Sequence, residues 1–301
     1  MVGPTASGKS DLALAIAERM PVEILVADSR QVYRGLDIGT AKPDSAARAR
    51  VPHHLVDLVD PNEPFTVARW VARARTLLPE VAARARTPLL VGGAGLYVAA
   101  LVDGHDHGSQ VPDARFRASL LDELHTAGLD ALVDRLASDS PQIAASIDRS
   151  NPRRVIRALE RFAGGAGEPT AVAYAGHVAL LGLQRPREVL YRRIEERARW
   201  LFENGLLDEV RALLRAGFGP DLRPMTGHGY AEAMHHVAGE WTLARAIEVT
   251  ARRTRQYAKR QLTWFRRDPR IVWLDAGEGP ADDPALVEAA LRALTAAEKP
   301  A

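Results

Sequence analysis

The sequence contains no cysteine among its 301 residues. This absence excludes disulfide bonds, a thiol nucleophile, iron–sulfur clusters and any zinc site with cysteine ligands. The chain also lacks an apolar run of the roughly 18 residues that a membrane span needs, and its N-terminus lacks the charged-then-apolar pattern of a signal peptide. We therefore expect a cytoplasmic protein that does not contact a membrane.

Lysine is scarce, since only four of the 40 basic residues are lysine, and the formal net charge is only +2. The charge is uneven, because residues 252–270 contain eight basic residues and one acid, so this segment carries +7 and the remainder −5. Such a segment indicates a polyanionic partner, although a solvated helix face gives the same pattern. At 47% hydrophobic and 26% charged residues, the composition is typical of a globular protein.

The first hundred residues alternate between helical and strand patterns. Helices are predicted over residues 11–20, 65–85 and 96–101, and strands over 22–27 and 88–91. Nearly continuous apolar strands separated by helices are typical of a parallel sheet with helices on both faces. We therefore predict an α/β core.

A mainly helical segment interrupts this pattern after Asp103. Helices are predicted over residues 113–126, 129–138 and 152–163, a strand pattern returns at 178–183, and helical patterns dominate afterwards. The predicted organisation is an α/β core of residues 1–107 and 176–301, whose C-terminal part is basic and helical, with a helical insertion domain over residues 108–175.

A phosphate-binding motif opens the chain. Gly3-Pro4-Thr5-Ala6-Ser7-Gly8-Lys9-Ser10 matches G-x-x-x-x-G-K-[ST] at every fixed position. In such a loop, backbone N–H groups and a helix N-terminus hold phosphate, the lysine adds charge, and the serine hydroxyl ligates Mg²⁺. The core is therefore expected to be P-loop NTPase-like and to bind ATP or another phosphate ester. Only Met1-Val2 precede the loop, so we expect a truncated first strand or a start assigned too late.

Asp28 directly follows the apolar run 22–27. Because ligands of open α/β sheets bind at the carboxyl ends of the strands, Asp28 is expected in the crevice. Three roles are open for it: a magnesium ligand at the end of a Walker B-like strand, a general base or anchor at the acceptor site, or a structural cap. We prefer the acceptor role, because an acid after the first strand behind the loop helix usually meets the acceptor in small P-loop kinases.

Further motifs follow the phosphate loop at intervals. They are Asp28-Ser29-x-Gln31-Val32-Tyr33, Gly35-Leu36-Asp37-Ile38-Gly39-Thr40-Ala41-Lys42-Pro43, Pro52-His53-His54-Leu55, Val91-Gly92-Gly93, Arg154-x-x-Arg157-Ala158-Leu159-Glu160, Arg193-Ile194-Glu195-x-Arg197, Gly229-Tyr230 and Arg255-Gln256-Tyr257-Ala258-Lys259-Arg260-Gln261-Leu262-Thr263-Trp264-Phe265. In this order, over nearly the whole chain, they closely resemble the bacterial tRNA dimethylallyltransferase family.

The resemblance implies transfer of a dimethylallyl group from dimethylallyl diphosphate to N6 of the adenosine 3′ of the anticodon, with release of diphosphate. It implies that the phosphate loop, including Thr5, holds the diphosphate, and that Lys9 and Mg²⁺ on Ser10 stabilise its charge. Asp28 would accept the N6 proton. Arg197 would hold the diphosphate, although a helix pair with Arg193 and neighbouring glutamates is an alternative.

The resemblance also implies contacts with the anticodon stem-loop of tRNA, from which an adenosine must be flipped into the pocket. The matching positions are Asp28, Ser29, Arg30, Gln31, Ala94, Arg117, Arg153, Arg154, Val155, Ile156 and Arg157. Arg154 and Arg157 are one helical turn apart, where guanidinium groups can grip phosphate or stack on a base. Ala94 departs from the family, since many bacterial members carry a hydroxyl residue there, and Arg117 alone is equally consistent with a structural role.

The sequence is also compatible with other functions. The P-loop also suits a kinase that phosphorylates a small molecule, an isopentenyltransferase acting on a free adenine nucleotide, or a nucleotide-dependent switch that binds RNA. The helical insertion and the basic C-terminal part favour the tRNA enzyme, because a small acceptor needs neither. His53 and His54 could ligate a metal, but no third ligand accompanies them. We expect a monomer.

Overall fold

The computed structural model describes residues 1–104, 113–164 and 173–296. Within these ranges the helices are α1 (Lys9–Ala17), α2 (Ser45–Arg50), α3 (Val67–Ala83), α4 (Gly95–Val102), α5 (Ala114–Asp139), α6 (Pro141–Ser146), α7 (Pro152–Ala163), α8 (Arg187–Glu203), α9 (Leu206–Arg215), α10 (Tyr230–Val237), α11 (Leu243–Phe265) and α12 (Pro284–Ala296). The strands are β1 (Val22–Ala27), β2 (His53–His54), β3 (Thr87–Gly92), β4 (Leu181–Gln184) and β5 (Val272–Asp275).

The strands form parallel ladders in the orders β2-β1-β3 and β4-β5. Residues 1–3 lie between the two ladders, because the Val2 amide donates to Leu181 O at 2.7 Å and the Gly92 amide donates to Met1 O at 3.1 Å. The phosphate loop therefore leaves the sheet at the same edge as the carboxyl ends of β1 and β3. In open α/β sheets, that edge forms the ligand crevice.

Helices cover both faces of the sheet. On β1, Leu25 and Ala27 pack in one core with α3 and α4, whereas Ile24 and Val26 pack in a second core with α1 and α12. Alternate residues of a strand point to opposite faces, and all six residues of β1 are buried. This arrangement confirms the predicted α/β core with helices on both faces.

The chain divides into two compact units. The core unit comprises Met1–Val102 and Tyr174–Ala301, and the insertion unit comprises Asp103–Ala173. In the insertion unit, α5 to α7 enclose a small core that includes Leu120, Leu132 and Leu159. The two helices predicted on either side of Gly128 are both present within α5, and Gly128, with a non-helical φ of 84°, separates them as predicted.

The sequence patterns did not predict two short strands, β2 and β5. The two-residue β2 is too short to carry a periodic pattern, and β5 lies in a region where helical patterns were expected. In β5, Val272 is exposed and Trp273 and Leu274 are only half-buried, so its pattern differs from that of a buried strand. Among the described helices, each is too short or too polar to cross a lipid bilayer.

A buried carboxylate joins β1, β2 and the end of α3. Glu23 accepts hydrogen bonds from Arg84 Nε at 2.8 Å and Nη2 at 2.7 Å, and His54 Nε2 lies 2.7 Å from its Oε2. The hydrogen bonds with Arg84, followed by that with His54, lower the pKa of Glu23 to about 2. Since the ordinary pKa of this carboxyl is 4.5, the ionised form stabilises the fold above that pH, and this contribution is lost as the pH falls towards 2.

We expect Glu23→Gln to lower the free energy of unfolding by about 1–3 kcal/mol at pH 7, because a charged hydrogen-bond acceptor is lost. The difference from the wild type should shrink at pH 3, where the wild-type carboxylate has lost part of its advantage. Urea unfolding at both pH values measures it. Glu18→Gln, which removes an exposed partner of Arg50, is the control; an equal loss for Glu23→Gln at both pH values would contradict the prediction.

Candidate active site

A cleft of about 720 Å³ lies beside the phosphate loop in the core unit. Its walls come from the phosphate loop and α1, from β1 and β3, from the 40–44 segment, and from α8 and α11. The side chains in it that carry chemistry are Thr5, Lys9, Ser10, Asp28, Gln31, Arg193, Arg197, Tyr257 and Gln261. The phosphate loop, Asp28 and Arg197, predicted separately from the sequence, therefore line one cavity.

The phosphate loop has the backbone shape that its motif predicts. Gly8 has a φ of 98°, and a Cβ there would lie 2.4 Å from that of Ala281, so only glycine fits. Lys9 Nζ donates to Pro4 O at 2.6 Å. Gly3, Pro4 and Ser7 are buried, Thr5, Ala6, Gly8 and Lys9 are half-buried, and Ser10 is exposed. The loop therefore presents Lys9 and the hydroxyl residues Thr5 and Ser10 to the cleft, whereas Ser7 is buried behind them.

Three side chains from distant parts of the chain hold the loop in place. Arg185 Nε donates to Ser7 O at 2.8 Å, and Arg193 Nε donates to Ala6 O at 3.0 Å. Gln261 Oε1 accepts from the Thr5 amide at 2.8 Å, while its Nε2 donates to Gly93 O at 2.9 Å. Sequence reasoning gave none of the three this role: Arg193 and Gln261 lie within family motifs, but Arg185 has no sequence signal.

Two cations, Lys9 and Arg197, contact the phosphate loop. Desolvation, followed by the charge of Arg197, lowers the pKa of Lys9 to about 7, while Asp28 acts in the opposite direction. The Arg197 guanidinium lies 3.4 Å from Thr5 Oγ1 and 3.4 Å from Thr40 O, and burial lowers its pKa. Within the described residues no carboxylate forms an ion pair with Arg197, so the expected alternative of a helix pair with glutamates is not what the structure shows. Two desolvated cations this close favour a bound anion.

Asp28 lies at the end of β1 and faces the same cleft. Its Oδ1 accepts from the Arg30 amide at 2.8 Å and from the Gln31 amide at 3.3 Å. The carboxylate therefore caps the turn after the strand through one oxygen. The other oxygen makes no hydrogen bond to the described residues, so a cap and an acceptor role are compatible in the same side chain.

The neighbours of Asp28 contact other loops of the core unit. Arg30 donates to Arg223 O and to Thr226 Oγ1, the latter at 3.2 Å. Gln31 Nε2 donates to Thr40 O at 3.1 Å. Ser29 and Gln31 are half-buried. These contacts fix the rim of the cleft, and Gln31 is itself among the lining residues.

The predicted tRNA-binding residues of the insertion unit divide into two groups. Arg153 and Arg154 are exposed on α7, whereas Val155 and Ile156 are buried in the core of the unit, at 0% and 3% exposure. Helical periodicity turns the side chains of Val155 and Ile156 inward, so the exposed arginines are the side chains of this run that can reach RNA, and RNA contact by the run stays a prediction. Arg117 and Arg157 each contact the buried carboxylate of Glu160 at 3.1 Å.

The remaining predicted positions are Ala94 and the histidine pair His53 and His54. Ala94 is half-buried between β3 and α4, and its amide donates to Ala27 O at 3.1 Å. His53 lines the cleft with its Nδ1 2.9 Å from Val51 O. Across the described ranges, no group of three histidine, aspartate or glutamate side chains could hold a metal ion, so His53 and His54 do not form such a site there.

Comparisons with known proteins agree over nearly the whole chain. The profile of a family described as IPP transferase matches residues 31–268. The tRNA dimethylallyltransferase of Heliobacterium modesticaldum is 44% identical over 283 residues, covering 92% of this chain and 88% of the relative. That of Geobacter metallireducens is 45% identical over 281 residues, covering 91% and 90%.

Solved structures show the same likeness. The full-length tRNA isopentenylpyrophosphate transferase of Bacillus halodurans superposes with a TM-score of 0.72 at 38% identity, covering 98% of this chain and 96% of that one. A eukaryotic dimethylallyltransferase acting on tRNA superposes with a TM-score of 0.80 at 26% identity, covering 99% and 79%.

Proposed function

This chain belongs to the IPP transferase family, and from that premise we propose that it transfers a dimethylallyl group from dimethylallyl diphosphate to tRNA. The acceptor atom we propose is N6 of the adenosine 3′ of the anticodon. One observation supports this most directly: the phosphate loop, the cations Lys9 and Arg197, and the carboxylate of Asp28 line a single cleft. An allylic diphosphate needs the first two features, and a weakly nucleophilic amine needs the third.

The proposed step exchanges one bond for another. The N6 lone pair forms a bond to C1 of the dimethylallyl group, while the C1–O bond breaks and its electron pair leaves with the diphosphate. The loop amides, Lys9 and Arg197 stabilise the charge that develops on the departing oxygen. Asp28 accepts the N6 proton through its carboxylate and passes it to solvent.

The donor set of the cleft fits a magnesium ion. Mg²⁺ prefers oxygen ligands, keeps several waters, and is commonly bound by one or two protein oxygens together with substrate phosphates. We propose that the exposed Ser10 hydroxyl at the start of α1 would hold it together with the diphosphate. When bound, it would neutralise charge on the leaving group.

The acceptor distinguishes this proposal from the alternatives. A small-molecule kinase or an enzyme that prenylates a free nucleotide would share the phosphate loop, but its relatives would not be tRNA enzymes. Incubation of the purified protein with labelled dimethylallyl diphosphate, Mg²⁺ and either tRNA or AMP separates them. We expect label in tRNA only. Label in AMP but not in tRNA, or ATP hydrolysis driven by a small alcohol, would refute the proposal.

The basic segment 252–270 is proposed to contact tRNA phosphates through part of its length. Three arginines of the segment pair with acids of the protein. Arg252 lies 3.9 Å from Glu248, and Arg255 lies 2.5 Å from Glu195. Arg253 pairs with the buried Glu232. Their charges are therefore partly neutralised within the protein.

Lys259, Arg260 and Arg267 are exposed further along the segment, so they are better candidates for phosphate contacts.

We expect a variant with Lys259, Arg260 and Arg267 changed to glutamine to bind tRNA with a weaker salt dependence. Each lost phosphate contact makes the negative slope of log Kobs against log salt less steep by about 0.7–0.9, so the loss of three contacts should reduce its magnitude by about 2–3. Filter binding over a range of salt concentrations measures it.

A control variant loses the same charge elsewhere, by changing Arg19, Arg50 and Arg245 to glutamine, each of which pairs with an exposed glutamate. Its slope should stay close to that of the wild type. Equal slopes for the two variants would show that the segment is only a solvated face.

A further inference from the structure

One wall of the cleft is the loop that carries the motif Asp37 to Pro43. Thr40 and Lys42 line the cavity. The loop is compact, because the Ala41 amide donates to Ile38 O and the Lys42 amide to Asp37 O, both at 2.9 Å. The Lys42 ammonium is buried and donates to the carboxylates of Asp37 and Asp57, both at 2.6 Å. The C-terminal end of the loop is therefore fixed by Lys42, both to Asp37 within the loop and to Asp57 outside it.

The other end of the loop is held by a carboxylate from a distant helix. Glu209, on α9, accepts hydrogen bonds from three successive backbone amides: those of Asp37 at 3.0 Å, Ile38 at 2.7 Å and Gly39 at 3.2 Å. Successive amides that converge in this way form a concave anion site. Here the anion is a side chain of the protein itself, so it fixes the position of the loop backbone.

Tyr230 completes the anchor. Its hydroxyl donates to Glu209 Oε1 at 2.5 Å, and burial raises the pKa of this phenol, which keeps it a donor. The ring packs so closely against Gly39 that a Cβ there would lie 2.4 Å from it. Gly39 and Tyr230 belong to two separate motifs of the sequence. Together with Glu209 they therefore form a single contact.

The anchored loop reaches the reaction site through the carbonyl of Thr40. That oxygen accepts from Gln31 Nε2 at 3.1 Å and lies 3.4 Å from Arg197 Nη2. The other hydrogen-bond partner of the Arg197 guanidinium within the described residues is Thr5 Oγ1. Because Thr40 immediately follows the amides that Glu209 holds, a shift of the loop moves one of the two groups that orient Arg197.

We propose that Glu209 is a positioning residue that orients Arg197 towards the donor diphosphate, acting through the Asp37–Gly39 amides and the Thr40 carbonyl. This inference rests on the proposed function, since it concerns the same donor site. Glu209 acts without touching the substrate. Its effect should therefore appear only while Arg197 is present, and it should act on the diphosphate donor rather than on tRNA.

The test is a double-mutant cycle on the purified full chain. Glu209→Gln should lower kcat/KM for dimethylallyl diphosphate by about 10- to 100-fold, the range expected when a catalytic group is misplaced by about 1 Å, with the KM for tRNA unchanged. In an Arg197→Met background the same change should have less than about a threefold effect. Asp208→Asn, an exposed acid beside Glu209 that pairs with Arg211, is the control and should retain wild-type kinetics.

Two outcomes would overturn the inference: a folded Glu209→Gln variant with wild-type kcat/KM, or an equal loss in the Arg197→Met background. If Glu209→Gln does not fold, Tyr230→Phe removes only the hydroxyl, and it should show a smaller loss with the same dependence on Arg197. Calorimetric binding of inorganic diphosphate gives a readout without catalysis, and weaker binding is expected for Glu209→Gln. A wild-type protein without prenyl transfer to tRNA would instead refute the proposed function.

Discussion

Replacement of Asp28 with asparagine should lower kcat by about two to four orders of magnitude while diphosphate binding persists. This is the range contributed by a positioned acid–base group. Asparagine is the informative substitution, because its amide oxygen can still accept from the Arg30 and Gln31 amides that Oδ1 holds in the structure. The turn after β1 should therefore keep its shape while the proton acceptor is lost.

Asp28→Ala removes both the acceptor and the cap, so the two variants together separate the roles. If Asp28 only caps the turn, Asp28→Asn should be nearly active and Asp28→Ala should be damaged. If Asp28 is the proton acceptor, both variants should be inactive. Single-turnover prenyl transfer to tRNA measures the chemical step, and calorimetry with inorganic diphosphate measures the donor site. Asp283→Asn is the control, because Asp283 caps α12 at its N-terminus. Wild-type kcat in Asp28→Asn would exclude the acceptor role.

The sequence was sufficient for those parts of the site that local motifs define. Gly8 and Lys9 lie in a motif whose spacing already dictates a phosphate loop, and Asp28 follows a strand whose apolar run is easily recognised. The α/β class could be predicted for the same reason, since β1 and β3 are nearly continuous apolar segments between helices. In each case the information lies within a few residues of the feature it defines.

The supporting contacts could not be predicted, because they join residues far apart in the chain. Arg185 holds the Ser7 carbonyl across 178 positions, and Glu209 holds the Asp37 amide across 172. An arginine or a glutamate on a helix surface looks the same in the sequence whether it faces water or a backbone amide. Residues 1–3 were likewise too few to show a pattern. Only Val2 forms a β-bridge, with Gly182, and the place of the segment is set by hydrogen bonds to β3 and β4.

Helical register divides the residues that were predicted to contact RNA in the insertion unit. The family resemblance assigned a continuous run around α7 to RNA contact, but a helix presents only alternate stretches of such a run to solvent. Val155 and Ile156 face the core, while Arg153 and Arg154 are exposed. The buried Glu160 pairs with Arg117 and Arg157 and so fixes the direction of both side chains. Charge pairing inside the unit therefore positions these two proposed RNA-binding arginines.

Replacement of Lys9 with methionine should lower kcat/KM for dimethylallyl diphosphate by about a hundred- to a thousandfold, the loss typical of one group that stabilises developing charge. The neutral side chain keeps most of the volume of lysine but removes the charge nearest the phosphate loop. Steady-state kinetics at saturating tRNA measures the change. A value within threefold of the wild type would show that the loop does not bind the diphosphate.

The pH dependence gives an independent test of the same residue. Because the pKa of Lys9 is lowered to about 7 by desolvation and by Arg197, the free protein loses most of this charge between about pH 6 and pH 8. An anion binds the protonated form, so donor binding must take up a proton above pH 7, and the KM should rise by up to about tenfold per pH unit.

Ionisation of the diphosphate itself affects every variant equally. Lys9→Arg stays charged throughout this range and Lys9→Met stays neutral, so both should show a flatter KM profile than the wild type, and identical profiles for all three proteins would contradict the lowered pKa.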